Sequence, residues 1–408
     1  MGRTLKLTRG LHDFIAFDHG QQDHYGALAV LEALALPAWQ LDFARALHLR
    51  RHLDFTNARQ LLEKQIGNPA WRQYRYNMLG LIAFYQRDYD TAEKYWRDGL
   101  AAVRASNDNF YEVNLLTNLC ILAARRGQFA ASQSTHEHAI ALADSLHDLG
   151  RLAFSRANFG AFLHQQNKYA EGLQQFRSAL GISMRLNNPD YITAHARGMA
   201  TAARRLDDFG LALQSIRQAE QFAERAGNRL LYFEILLLKG SVYAQMHLPH
   251  LARFDYEKVI RLAAETPFEK ISQQAQGRLA EIWLDRHEYP KARSVYRALL
   301  AGPAGENQKI YWQWLIGDSY FQEKKYHLAE QAYLAGCQRA ARHPTSAYAE
   351  RATANMRKKI GDCLFERGRI DSALAVYREK LIERVAESRA DFSFERHFAL
   401  GRVYDRLG

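Results

Sequence analysis

Closely spaced histidines are the residues in this chain whose type and spacing could bind a metal ion. His48 and His52 lie four residues apart, and His136 and His138 flank a glutamate. On a helix, side chains two positions apart point about 200° away from each other, so His136 and His138 diverge. His48 and His52 could share a helix face, but no third ligand is identifiable from the sequence. We therefore predict no metal site.

Asparagine and arginine side chains recur at a fixed spacing and could bind a peptide. Asn118 and Asn158 lie forty residues apart, and a carboxamide can both donate to and accept from one peptide unit of an extended ligand. Arg197, Arg204 and Arg205 follow about forty residues later. Hydrogen bonds to neighbouring helix ends explain the asparagines equally well. Both explanations are open at this stage.

Pairs of small residues predict the elements that position these side chains. Nine times, a small residue is followed twelve positions later by another, in most copies with a bulky residue near the middle of the interval. A further large residue, such as Trp96, Phe176 or Tyr333, usually stands four positions after the second small one. Two helices joined by a short turn would bring these residues into one contact, with the large side chain in the groove that the small ones leave. The nine pairs are Ala46 with Ala58, Gly80 with Ala92, Cys120 with Ser132, Gly160 with Gly172, Ala200 with Ala212, Gly240 with Ala252, Ala280 with Ala292, Gly317 with Ala329, and Gly361 with Ala373.

This pattern resembles the tetratricopeptide repeat over roughly residues 38 to 408. Leu79-Gly80 followed by Tyr89, Ala92 and Trp96 is a representative copy. The step between copies is 34 residues once and then 40 residues five times in succession, which resembles the lengthened repeats of cargo adaptors, spindle-orientation scaffolds and bacterial peptide or sugar sensors. The resemblance implies an all-α, right-handed superhelical solenoid of antiparallel helix pairs that binds a ligand and is not an enzyme.

The repeat pattern divides the chain into three predicted parts. Residues 1–37 form a degenerate capping hairpin, residues 38–393 form nine helical hairpins, and residues 394–408 form a final helix A. That last helix either caps the array or begins a truncated repeat. The sequence contains no apolar run of eighteen residues, so we predict no membrane span, and the N-terminal residues lack the apolar core of a secretory signal.

Composition limits the compartment and the partners. The three cysteines, Cys120, Cys337 and Cys363, lack metal-ligand spacing and indicate buried thiols in a reducing compartment, which predicts a cytoplasmic location. The net charge is +11, which attracts acidic partners. The basic residues are dispersed and no groove-reading motif appears, which argues against nucleic-acid binding. Nucleotide-binding and metalloprotease motifs are absent as well, so we predict no cofactor.

The resemblance also implies which side chains face the ligand, because helix A lines the concave groove in this family. The first ten predicted groove residues are amide-rich and basic, and the last three are acidic and aromatic. Such a groove would orient a ligand of opposite polarity. We therefore predict a protein or peptide partner whose acidic segment contacts the three arginines. The thirteen residues are Asn77, Tyr85, Asn114, Asn118, Arg125, Asn158, Gln165, Arg197, Arg204, Arg205, Glu281, Trp314 and Asp318.

Two functions fit these predictions. The first is a non-catalytic scaffold that binds a peptide or protein in its groove. The alternative is a ligand-sensing regulatory module of a larger signalling, transcriptional or defence protein, in which ligand binding shifts the array between two states. A gene that continues past Gly408 into an effector domain would favour the alternative. The sequence leaves self-association open.

Overall fold

The computed structural model of the chain describes residues 27–33, 38–51, 54–64, 72–106, 109–264, 266, 268–302, 304–342 and 347–384. All the regular structure in these residues is helical, which confirms the predicted all-α solenoid of helix pairs. The helices are α1 (Ala27–Ala33), α2 (Ala38–Arg51), α3 (Phe55–Lys64), α4 (Arg72–Tyr85), α5 (Tyr89–Ser106), α6 (Asn109–Arg125), α7 (Phe129–Ser145), α8 (Leu149–Gln165), α9 (Tyr169–Leu186), α10 (Pro189–Arg205), α11 (Phe209–Ala226), α12 (Arg229–Gln245), α13 (Pro249–Ala263), α14 (Glu269–Asp285), α15 (Tyr289–Ala301), α16 (Glu306–Gln322), α17 (Tyr326–Ala341), α18 (Ala347–Glu366) and α19 (Ile370–Arg384).

Helices α2 to α11 form five successive hairpins and helices α14 to α19 form three. The first helix of each hairpin, together with α12, is called helix A here. The structure describes residues 1–37 only over α1, and the predicted final helix at 394–408 lies outside the described residues. The chain divides into unit 1, which ends at Val242, and unit 2, which begins at Tyr243. The two units are described separately.

In unit 1, helices A contact one another in order along the chain. Helix α2 contacts α4, α4 contacts α6, α6 contacts α8, and α8 contacts α10. In unit 2, helix α16 contacts α18 in the same way. We call the surface formed by the helices A of one unit its A face. A position that recurs on successive helices A therefore forms a row along this face.

The small residue and the large residue sixteen positions later make the predicted contact. A Cβ atom added to Gly317 would lie 2.5 Å from the ring of Tyr333, and one added to Gly361 would lie 2.3 Å from Tyr377. Such distances are shorter than any real carbon–carbon contact, so the aromatic ring fills the space of the missing side chain. This packing fixes the position of helix A against its partner helix in these two hairpins.

His136 occupies the position of the large residue in the third hairpin. An imidazole in place of the usual aromatic ring predicts less regular packing in this hairpin. The side chain is nonetheless 1% exposed and packs on Phe159 and Phe162, with ring centroids 5.3 and 5.4 Å away. His138, two residues later, is exposed, so the two imidazoles diverge as predicted.

Four turns from helix A to the second helix of a hairpin in unit 1 share one backbone shape. A residue with positive φ recurs at forty-residue intervals in unit 1, at Arg87, Gly127, Asn167 and Asp207. The residue that follows caps the next helix in some copies. Asp208, for example, accepts a hydrogen bond from the backbone amide of Leu211 at 3.0 Å. These caps satisfy amide groups that a helix cannot satisfy itself.

The described residues include no helix that is long and apolar enough to cross a membrane, and no group of three or more potential metal ligands. Cys120 and Cys363 are buried and Cys337 is partly buried, and all three thiols are free. Burial raises the pKa of the Cys120 thiol to about 12. A thiol with such a pKa is protonated at neutral pH and is a poor nucleophile.

Candidate functional site

A row of exposed side chains follows one edge of the A face of unit 1. Each member stands five residues after the first small residue of its hairpin. Because successive helices A are in contact, the members lie one per hairpin along the same edge. We call them the edge row: Tyr85, Arg125, Gln165 and Arg205, all of which are exposed.

Tyr85 is the aromatic member of the edge row, and its side chain is 55% exposed. Its ring stacks on Phe55, with centroids 6.1 Å apart and planes 6° from parallel. Its phenol is hydrogen-bonded to Arg50, and burial lowers the pKa of this guanidinium while the phenol raises it. The ring is therefore held in place, and part of its surface faces solvent.

His164, Arg204 and Arg205 form a cationic cluster at the end of this row. Burial lowers the pKa of His164, and the positive charges of Arg205 and Arg204 lower it further. The imidazole meets the ring of Tyr169 edge to face, with centroids 4.9 Å apart. The cluster therefore presents two guanidinium groups beside an imidazole whose protonation they disfavour, and the guanidinium groups attract a carboxylate.

Arg197 lies on the same helix but is already part of an ion pair. Its guanidinium lies 3.1 Å from the carboxylate of Glu234 on α12, and both side chains are about two-fifths exposed. The pair links two successive helices A. Arg197 therefore contributes less net positive charge to the A face than Arg205.

The predicted asparagines bond within the protein. The side-chain amide of Asn77 donates to the phenol of Tyr111 at 3.0 Å. The side-chain amide of Asn118 donates to the side-chain carbonyl oxygen of Asn77 at 2.6 Å. Asn158 donates to the backbone carbonyl of Phe154 on its own helix at 2.9 Å. These bonds go to side chains of an adjacent helix A or to a backbone carbonyl within the same helix, and none goes to a backbone group at a neighbouring helix end. Asn114 is partly buried on α6.

In unit 2, the three predicted residues lie on two helices A. Asp318 accepts a hydrogen bond from the phenol of Tyr333, and burial raises the pKa of this carboxyl group. Trp314 is partly buried, and its ring meets that of Tyr311 edge to face at 6.3 Å. Glu281 accepts hydrogen bonds from Arg278 at 3.0 Å and from the phenol of Tyr311.

Three further residues lie next to the predicted site residues but were not predicted from the sequence: Arg50 beside Tyr85, Tyr111 beside Asn77, and Tyr296 near Glu281. Arg50 precedes Tyr85 by 35 residues, and the two meet only because α2 contacts α4. Tyr111 bonds Asn77 across α4 and α6. For Tyr296, the sequence does contain a signal. This tyrosine stands fifteen residues after a carboxylate residue, as Tyr333 and Tyr377 do.

Comparisons with known proteins identify the fold. No protein-family model and no curated protein matches the sequence. Among solved structures, a Signal Transduction ATPase with Numerous Domains protein with a tetratricopeptide repeat sensor, from Pyrococcus horikoshii, matches with 14% identity and a TM-score of 0.58. The match covers 87% of this chain and 55% of that chain, so this chain spans about half the length of that protein.

Two further similar structures are complexes, one with a named factor and one with a cognate peptide. One is a Rap protein complexed with competence and sporulation factor, with 14% identity, a TM-score of 0.50 and coverage of 89% of this chain and 98% of that one. The other is NprR in complex with its cognate peptide NprX, with 12% identity, a TM-score of 0.50 and coverage of 82% and 97%. At these identities the likeness shows the fold alone, which is the fold of tetratricopeptide-repeat arrays.

Proposed function

We propose that unit 1 is a non-catalytic binding module that holds an extended peptide, or an extended segment of a protein, on its A face. The observation that carries the proposal is the edge row, in which four exposed side chains recur at one position on four successive helices A. An extended ligand can contact such a row with side chains at regular intervals. Two arginines, one tyrosine and one glutamine offer charge, stacking and hydrogen bonds to it.

The charge of this face supports an acidic segment in the ligand. Arg125 and Arg205 are exposed, and Arg204 lies beside Arg205 near His164. Carboxylates of a ligand would make charge-assisted hydrogen bonds to these guanidinium groups. The fold of the Rap protein, solved with competence and sporulation factor, and of NprR, solved with its cognate peptide, is consistent with this use of the array. The three free cysteines support a reducing, cytoplasmic compartment.

A selection of random twelve-residue peptides displayed on phage tests the proposal, because such a selection requires no named partner. We expect the purified chain to enrich peptides that contain aspartate or glutamate. The enriched peptides are then synthesised, and their affinity is measured for a variant in which Arg125, Arg204 and Arg205 are replaced by glutamate. We expect a loss of at least about tenfold, because three attractive charges become repulsive.

A matched control separates a specific site from overall charge. Arg177, Arg185 and Arg217 are exposed on α9 and α11, which are not helices A. Their replacement by glutamate changes the net charge by the same amount. We expect this control variant to keep its affinity within about threefold, since the distant charges are screened by salt. Equal losses in the two variants would refute binding on the A face.

A sensing role in a larger protein is the second candidate function. The structure from Pyrococcus horikoshii contains a tetratricopeptide repeat sensor, and this chain spans 55% of its length. Ligand binding would then change the state of an effector that is fused to the array or associated with it. The test is whether a selected peptide changes hydrogen exchange on helices that do not contact it. Protection confined to the A face of unit 1 would favour the scaffold.

A further inference from the structure

Buried tyrosines and carboxylates pair in a regular way in unit 2. The phenol of Tyr333 donates to Asp318, and the phenol of Tyr377 donates to Asp362 at 2.7 Å. In both hairpins the tyrosine follows the carboxylate by fifteen residues. The carboxylate stands on helix A directly after the first small residue, and the tyrosine stands on the second helix. The repeat therefore places the phenol oxygen next to the carboxylate on the A face.

The hairpin formed by α14 and α15 has both residues but lacks the hydrogen bond. Tyr296 follows Glu281 by fifteen residues and is 0% exposed, yet its phenol oxygen is buried without a hydrogen-bond partner. Glu281 accepts instead from Arg278 and from Tyr311. A buried hydroxyl group without a partner is unfavourable and rare in native proteins. The equivalent phenols of Tyr333 and Tyr377 each have a hydrogen-bond partner. The phenol of Tyr296 could therefore be satisfied by a group from outside the chain.

The surroundings of Tyr296 indicate the charge of that partner. Burial raises the pKa of the phenol, and the negative charges of Glu281 and Asp285 raise it as well. Glu281 retains 28% of its side-chain exposure, and the side chain of its counter-ion Arg278 is 53% exposed. Arg278 can therefore swing into solvent and leave the carboxylate to a ligand. Asp285 is exposed on the same helix.

We propose that Glu281, Asp285, Tyr296, Tyr311 and Trp314 form a site for a positively charged side chain, lysine or arginine, of a basic peptide segment. We call it the acidic aromatic site. The cationic group donates hydrogen bonds to Glu281 and to the phenol oxygen of Tyr296, in place of Arg278. Tyr311 is hydrogen-bonded to Glu281, and Trp314 meets the ring of Tyr311 edge to face; aromatic faces attract cations. The site lies in unit 2 and selects the opposite charge from the A face of unit 1, so it is independent of the proposed function.

The test uses the full chain and three fluorescein-labelled peptides of glycine and serine that differ only in three residues: arginine, lysine or glutamine. Binding is measured by fluorescence anisotropy at about 150 mM salt, where distant charges are screened. The glutamine peptide is uncharged, so the acidic-peptide surface proposed for unit 1 does not attract it, and the net charge of +11 disfavours both basic peptides. We expect the arginine peptide, the lysine peptide or both to bind at least tenfold more tightly than the glutamine peptide. The ratio between the two basic peptides shows which cation the site prefers.

Two variants assign this binding to the site. Glu281→Gln should weaken basic-peptide binding about tenfold, and Tyr296→Phe should weaken it about threefold without lowering the melting temperature. The control is Glu257→Gln, which removes the same charge from an exposed residue of α13 and should leave the affinity unchanged. The proposal is overturned if neither basic peptide binds more tightly than the glutamine peptide, if Glu281→Gln and Glu257→Gln have equal effects, or if Tyr296→Phe binds like the wild type.

Discussion

Gly80 leaves the space that the indole of Trp96 fills. A Cβ atom on Gly80 would lie 2.3 Å from Nε1 of Trp96, and this nitrogen donates a hydrogen bond to the backbone carbonyl of Asn77 at 3.3 Å. Trp96 is 1% exposed. One indole therefore packs against helix A and bonds to it in the hairpin that also carries Tyr85 of the edge row.

We expect Gly80→Ala to destabilise unit 1. The added methyl group must displace a buried indole, and overpacking of this kind costs about 1–3 kcal/mol. The measurement is the free energy of unfolding in urea. Gly181→Ala is the matched control, because a Cβ atom there meets nothing within 4 Å. Alanine is the better helix former, so the control should be unchanged or slightly more stable. Similar losses in both variants would contradict the packing described for Gly80.

The hydrogen bond from Tyr333 to Asp318 predicts a second stability difference. Tyr333→Phe leaves a largely buried carboxylate without its donor, and we expect a loss of about 1–2 kcal/mol in the free energy of unfolding. Tyr296→Phe removes a phenol oxygen that has no partner, so we expect no loss. Urea unfolding of the two variants in parallel provides the measurement. A loss in Tyr296→Phe as large as in Tyr333→Phe would show that Tyr296 has a partner within the chain.

The helix pairs could be predicted from sequence because their contact depends on residue size at fixed positions. Gly317 and Tyr333 lie sixteen residues apart in one hairpin, and the spacing alone brings them together. The partners of polar groups could not be predicted in this way. Asn77 meets Tyr111 and Asn118 on the next helix A, and the choice between these bonds and a ligand depends on side-chain rotamers. The missing partner of Tyr296 likewise depends on Glu281 bonding to Arg278 and Tyr311.

Two buried histidines lie on either side of the hairpin formed by α8 and α9. His136 on α7 packs against Phe159 and Phe162 of α8, and His195 on α10 is hydrogen-bonded to the hydroxyl group of Ser183 on α9 at 2.9 Å. Burial lowers the pKa of each imidazole to about 4. Both side chains are therefore neutral in the folded protein at neutral pH.

This arrangement predicts a loss of stability in acid. The unfolded chain binds protons at these histidines near pH 6.5, whereas the folded chain resists protonation until about pH 4. The contribution of each histidine is therefore complete above pH 6.5 and is lost as the pH falls towards 4, with about 2 kcal/mol lost at pH 5.

His136→Phe removes one of these groups and retains an aromatic ring, like that of Phe176 at the same position in the next hairpin. We expect the variant to lose less stability than the wild type between pH 7 and pH 5, by about 2 kcal/mol. Urea unfolding at both pH values, with hydrogen exchange of α7 and α8, measures the difference. His138→Gln is the control, because it removes an exposed imidazole two residues away and leaves His136 in place. An identical pH dependence in His136→Phe and the wild type would show that His136 is already protonated, or is exposed, in the folded protein.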